Sequence, residues 1–112
     1  MKEEEYESRR KEYVGDALLS FVAREVLCTD WKHRKKQREV ECALMSNQSL
    51  ERIGKKIGLK PIEDSGHNKQ HKKYACAVEI KLYEVYLDCG IEGAKDWFKQ
   101  NILSNYNKLQ KE

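Results

Sequence analysis

Two carboxylates lie four residues apart near the start of the chain, in the segment Glu12-Tyr13-Val14-Gly15-Asp16. Positions i and i+4 share one face of a helix, so Glu12 and Asp16 could bind one divalent cation together. Gly15 costs the helix about 1 kcal/mol relative to alanine. A glycine kept at that cost indicates close approach of another chain segment or of a ligand. The alternative is a pair of solvated charges, which is common on highly charged helices.

The apolar residues recur with helical spacing along nearly the whole chain, and no segment has the alternation typical of a strand. The spacing predicts five helices, over about residues 3–28, 40–44, 50–57, 74–89 and 94–109. The segment Ser46-Asn47-Gln48-Ser49 offers N-cap residues for the third helix, while Gly58 and Gly90 are expected to end the third and fourth helices. The sequence therefore predicts an all-α protein with a single domain over residues 1–112.

A third acid, Glu79, lies on the predicted fourth helix, one turn after Cys76. If the first and fourth helices pack side by side, Glu12, Asp16 and Glu79 can converge. Three carboxylates in one place repel each other unless a cation compensates their charge. Mg²⁺ does so through oxygen ligands and retained waters, and it can activate water against a phosphodiester.

Composition restricts the classes of protein to which the chain can belong. Its net charge is +3, with 39% hydrophobic and 37% charged residues. It contains no apolar run near the roughly 18 residues that a membrane span needs, and its N-terminus lacks the apolar region of a secretory signal. We therefore expect an intracellular protein, in the cytoplasm, an organelle or the nucleus. The four cysteines form no Cys-x-x-Cys pair and are expected to be reduced thiols.

Two basic runs, residues 32–38 and 67–73, suit a polyanion. Within them Lys35, Lys36, Lys72 and Lys73 are the candidate RNA contacts, although an isolated basic run is more often a solvated loop. Trp31, just before the first run, is interpreted as a loop anchor. The second run also permits a zinc site formed by His67, His71 and Cys76, but this set offers only three ligands.

Four segments, in order along the chain, resemble the ribonuclease III family. Residues 12–19 resemble its signature Glu-Phe-Leu-Gly-Asp-(Ala/Ser)-(Val/Ile)-Leu, and residues 42–59 resemble its Ala-Leu-Val segment, Asn-containing cap and following helix. Residues 75–79 and 85–95 resemble the Ala-Asp-x-(Val/Phe)-Glu and Ile-Tyr-Leu-Asp-Gly-Gly-Leu-Glu-Ala-Ala-Arg elements. Together the likeness extends over residues 9–103.

The resemblance implies an all-helical endonuclease domain that cleaves double-stranded RNA in the valley of a homodimer, with a heterodimer as the variant. By position, Glu12, Asp16 and Glu79 match three of four metal ligands. The cofactor would be Mg²⁺, with Mn²⁺ as substitute. Tyr13 matches an aromatic residue that inserts into the partner subunit.

Several positions depart from the family pattern. Cys76 replaces the fourth ligand, usually an aspartate, and a thiol is a poor ligand for Mg²⁺. Lys11 replaces a leucine, while Tyr83 and Glu84 replace small residues, so the local packing must differ. The helices that usually precede the signature and a double-stranded-RNA-binding domain are both expected to be missing. These departures leave open a catalytically inactive RNA-binding or structural module.

Overall fold

The computed structural model describes residues 2–62 and 72–111, and this part of the chain is helical with no strand. The helices are α1 (Glu3–Leu27), α2 (Arg34–Leu44), α3 (Asn47–Lys56), α4 (Lys73–Trp97) and α5 (Ser104–Gln110). A single 3-10 turn, Trp31–His33, precedes α2, and a π-helical segment, Phe98–Leu103, joins α4 to α5. The all-α prediction is confirmed.

The core lies between the two 25-residue helices, α1 and α4, and is closed by the shorter helices. Its largest fully buried side chains come from α1 to α4 and the π-helical segment: Leu19, Val22, Leu44, Ile53, Val78, Leu82, Phe98 and Ile102. Burial of each such side chain stabilises the fold by about 1.5–3 kcal/mol relative to leaving it exposed. The packing therefore fixes α1 against α4, the two helices that carry the predicted acids.

Helix ends follow the predicted chemistry. The Ser46 hydroxyl accepts a hydrogen bond from the Ser49 backbone N–H at 3.2 Å, which caps α3 at its start. Gly58 follows α3 with a φ of 79°, a left-handed conformation that L-residues with a side chain rarely adopt. Gly90, with a φ of 71°, breaks α4 internally, so the predicted end of the fourth helix is a kink between two helical stretches.

Exposure corrects two sequence interpretations. Trp31 is 80% exposed, so it is not buried as a loop anchor would be. The helical spacing also predicts that Tyr86 and Phe98 lie in the core. Phe98 is fully buried, but Tyr86 is 38% exposed. His67 and His71 fall outside the described residues, so the zinc hypothesis stays a prediction. Within residues 2–62 and 72–111, no helix combines the length and apolarity needed to cross a membrane.

Candidate functional site

The backbones of α1 and α4 touch at Gly15. A Cβ atom added to Gly15 would lie 2.3 Å from the backbone oxygen of Glu79 and 2.7 Å from its carbonyl carbon. No side chain fits in that space, which confirms the interpretation of Gly15 as a point of close approach. Glu12 and Asp16 on one helix therefore flank the contact that Glu79 makes from the other.

Cys76 lies directly beside the first acid. Its thiol donates a hydrogen bond to Glu12 Oε1 at 3.1 Å, and both groups are buried. Glu12 is only 6% exposed. A buried carboxylate is costly unless it accepts hydrogen bonds, so the neutral thiol stabilises Glu12 where a second carboxylate would repel it.

The other two predicted ligands are less enclosed, since Asp16 is exposed and Glu79 half-buried. Within the described part of the chain, no group of three His, Cys, Asp or Glu side chains is close enough to hold a metal ion. The structure thus joins Glu12 to Cys76 and places Glu79 against α1, without gathering the three acids around one point. As donors, three carboxylates match the preference of Mg²⁺ for oxygen, and the thiol does not.

Side chains that depart from the family pattern contact one another across the same helix pair. Lys11 Nζ lies 3.5 Å from a carboxylate oxygen of Glu84. Arg10 donates to the Tyr83 hydroxyl at 3.3 Å, with its guanidinium 5.9 Å from the ring centroid. The larger side chains on α4 therefore pair with basic residues on α1, whereas a difference in packing from the family stays a prediction.

The predicted RNA contacts divide into two regions. Lys72 and Lys73 lie at the start of α4, one turn before Cys76. Lys35 and Lys36 are exposed in the first turn of α2, beyond the other end of α1. Fifteen residues of α1 separate Glu12 from Leu27, which is roughly 22 Å along the helix axis. Of these four lysines, only Lys72 and Lys73 lie near the acids.

Tyr13 projects from the acid-bearing stretch of α1 and is 82% exposed. Tyr6, seven residues earlier and therefore on the same helix face, is also exposed. The exposure is consistent with the role of Tyr13 at an interface between subunits, which stays a prediction.

A second buried acid, Glu41 on α2, was not singled out from the sequence. It is 7% exposed and accepts hydrogen bonds from Arg24 Nε at 3.1 Å and from the Cys28 thiol at 3.5 Å. Burial, together with the hydrogen bond to the Glu41 carboxylate, raises the pKa of the Cys28 thiol. The sequence signal that could have predicted the burial of Glu41 is its position: it lies three residues before buried Leu44 and therefore on the inward face of α2.

Comparison with known proteins gives three informative similarities. The chain is 33% identical to Ribonuclease 3 of Caldanaerobacter subterraneus subsp. tengcongensis, over 90% of this chain and 50% of that protein. It is 30% identical to Ribonuclease 3 of Clostridium beijerinckii, over 96% of this chain and 50% of that protein. It is 28% identical to Ribonuclease 3 of Bacteroides thetaiotaomicron, over 93% of this chain and 35% of that protein.

The chain therefore spans half or less of the length of these relatives. No family model matches it, and no solved structure matches it significantly. The similarities nevertheless extend over 90–96% of this chain, which supports a relationship to the ribonuclease III family.

Proposed function

We propose that this chain is a ribonuclease III-family domain that hydrolyses phosphodiester bonds of double-stranded RNA with a divalent cation, Mg²⁺ or Mn²⁺. The observation that carries the proposal is the backbone contact between Gly15 and Glu79, because it sets the acids of α1 against the acid of α4. The similarity to proteins named Ribonuclease 3, which covers at least 90% of this chain and half of each of those proteins, supports it independently.

Glu12, Asp16 and Glu79 are the residues that would hold the cation. When bound, a divalent cation lowers the pKa of coordinated water and stabilises negative charge at the phosphate. Glu12 is held by the Cys76 thiol in a fixed, buried position. Asp16 is exposed and can reach a ligand at the surface, while Glu79 is half-buried on α4, where its backbone contacts α1. Lys72 and Lys73, at the start of α4, would contact the RNA backbone beside these acids.

The assay is cleavage of a long RNA duplex with Mg²⁺ or Mn²⁺, comparing the wild-type chain with Asp16→Asn. Removal of one carboxylate ligand is expected to reduce the cleavage rate by about 100-fold or more, since even loss of an outer-shell partner costs 10–100-fold. Asp88→Asn, which changes another exposed aspartate, on α4, is the matched control and should cleave at the wild-type rate. Equal rates for both variants would refute the assignment of Asp16.

We further propose that the active form is a dimer in which Tyr13 packs into the partner subunit, homomeric or with a related chain. The support is its 82% exposure on the helix that carries Glu12 and Asp16. Such a dimer would place two acid sites on one RNA duplex.

A second candidate function, a non-catalytic RNA-binding module, is favoured by one specific observation. The buried carboxylate of Glu12 already accepts a hydrogen bond from Cys76 at 3.1 Å, where the family pattern has an aspartate. Double-stranded RNA is recognised mainly by shape, phosphates and 2′-hydroxyls, so binding does not require the chemistry. Retained duplex binding without cleavage at any Mg²⁺ or Mn²⁺ concentration would establish this function and refute the first.

A further inference from the structure

A cavity of about 430 Å³ lies between the end of α1 and the beginning of α2, away from the acids. The residues that matter for its chemistry are Arg24, Trp31, Arg34, Lys35, Arg38 and Glu41. Its volume falls within the roughly 300–1,000 Å³ of sites that bind small molecules. Nothing in the proposed cleavage reaction uses this surface.

Trp31 forms an exposed aromatic wall of the cavity. The Arg34 guanidinium lies 4.7 Å from its ring centroid, and Arg34 Nη1 donates to the Trp31 carbonyl at 2.9 Å. Asp30 accepts a hydrogen bond from the Lys32 backbone N–H at 2.9 Å, which fixes the turn that carries the indole. A tryptophan held in place yet 80% exposed presents a preorganised stacking surface. Aromatic rings and arginine planes are the groups on which unpaired bases stack.

The charge around the cavity suits the phosphates of the same ligand. Its lining contains four cationic and two acidic side chains. Both acids are engaged within the protein, Glu41 by Arg24 and Asp30 by His33 at 2.7 Å. Among the residues the structure describes, Lys35 and Arg38 have no ion-pair partner. Lys32 and Lys36 extend the positive surface on the adjoining side.

We propose that this cavity binds an unpaired nucleotide of RNA, with its base stacked on Trp31 and its phosphates bound by Lys35 and Arg38. A base inside a duplex is stacked on both faces and cannot pack on the indole, so the ligand is a single-stranded end or loop. The proposal shares with the proposed function only the class of ligand, RNA. It requires neither the metal nor cleavage.

The test measures binding of a six-nucleotide, non-self-complementary single-stranded RNA in the presence of EDTA, so that no cleavage can occur. Trp97→Phe leaves Trp31 as the sole tryptophan, and its fluorescence should be quenched saturably by the RNA. With labelled RNA, fluorescence anisotropy should show that Trp31→Ala weakens binding roughly 5- to 150-fold, the range for loss of one base–aromatic stack. Tyr6→Ala removes another exposed aromatic, 60% exposed against 80% for Trp31, from the far end of α1 and should bind as the wild type does.

Two further probes identify what the cavity recognises. An abasic oligomer with the same number of phosphates should bind at least about 5-fold more weakly than the RNA, because it cannot stack. A blunt RNA duplex should bind the wild type and Trp31→Ala equally. Unchanged hexamer affinity in Trp31→Ala, equal binding of the abasic oligomer, or an equal loss of duplex binding would each overturn the proposal. Absence of nuclease activity would leave all three results unaffected.

Discussion

Gly15→Ala is the most direct test of how α1 and α4 are held together. The added methyl would lie 2.3 Å from the Glu79 carbonyl oxygen, 2.7 Å from its carbonyl carbon and 3.3 Å from its Cα. All three are backbone atoms inside α4, so no side-chain rotation can relieve the overlap. The two helices must therefore move apart, or the protein must lose stability.

Two opposing effects determine the size of the change. Replacing glycine by alanine inside a helix gains about 1 kcal/mol. Overpacking a close contact costs about 1–3 kcal/mol, and the overlap with backbone atoms favours the upper end. The net loss is therefore about 2 kcal/mol. An unfolding entropy of about 2.1 cal/mol/K for each residue then predicts a fall in Tm of about 8 °C for a chain of this length.

Thermal unfolding followed by circular dichroism measures the effect. Ala17→Gly, at an exposed position two residues away on the same helix, is the matched control and reports the helix-propensity term alone, a loss of about 1 kcal/mol. If Gly15→Ala raises Tm by the amount that the control lowers it, only propensity acts and the close approach described above is wrong. In an active enzyme, Gly15→Ala should also reduce cleavage, because it separates Glu79 from Glu12 and Asp16.

Three further substitutions test the site and its surroundings. Cys76→Asp should lower the Tm of the metal-free protein, because it places a second carboxylate beside Glu12. Mg²⁺ should raise the Tm and the cleavage rate of this variant more than those of the wild type. No added response to Mg²⁺ would place Cys76 outside the metal site. Tyr13→Ala should weaken dimerisation roughly 30-fold or more, the effect of losing an interface hot spot, as measured by analytical ultracentrifugation; an unchanged association constant would remove Tyr13 from the interface. Burial and the Glu41 carboxylate raise the pKa of Cys28, so Glu41→Gln should lower that pKa. The alkylation rate of Cys28 with iodoacetamide should therefore rise at a lower pH than in the wild type. An unchanged pH profile would contradict the assignment of Glu41 as a cause.

The features predicted correctly from the sequence are those with a local physical signature. Gly15 imposes a helix-propensity cost, and the structure shows the close contact that compensates it. Gly90 has the left-handed φ expected of a glycine that ends a helix, although α4 continues after it, so the sequence predicted the break and not the second helical stretch. These signals need no knowledge of distant residues.

The features that sequence reasoning missed depend on contacts between distant segments. Glu41 is buried only because Arg24 and Cys28, from another helix, reach its carboxylate. Trp31 is aromatic and lies in a connection, but residue type does not reveal whether any neighbouring segment covers it. The alignment of Glu12 with Cys76 came from family resemblance, whereas the 3.1 Å hydrogen bond between them required coordinates.

The Gly15 contact also differs in its sensitivity to salt from the ion pairs between the two long helices. Two such pairs join α1 and α4, Lys11 with Glu84 at 3.5 Å and Lys95 with Glu25 at 3.1 Å. Such pairs contribute about 0–1 kcal/mol and are screened by salt, whereas contact between uncharged backbones is not. Rising ionic strength therefore weakens the two ion pairs and leaves the backbone contact at Gly15 unchanged. The acids lie beside the part of the helix pair that is least sensitive to the solution around it.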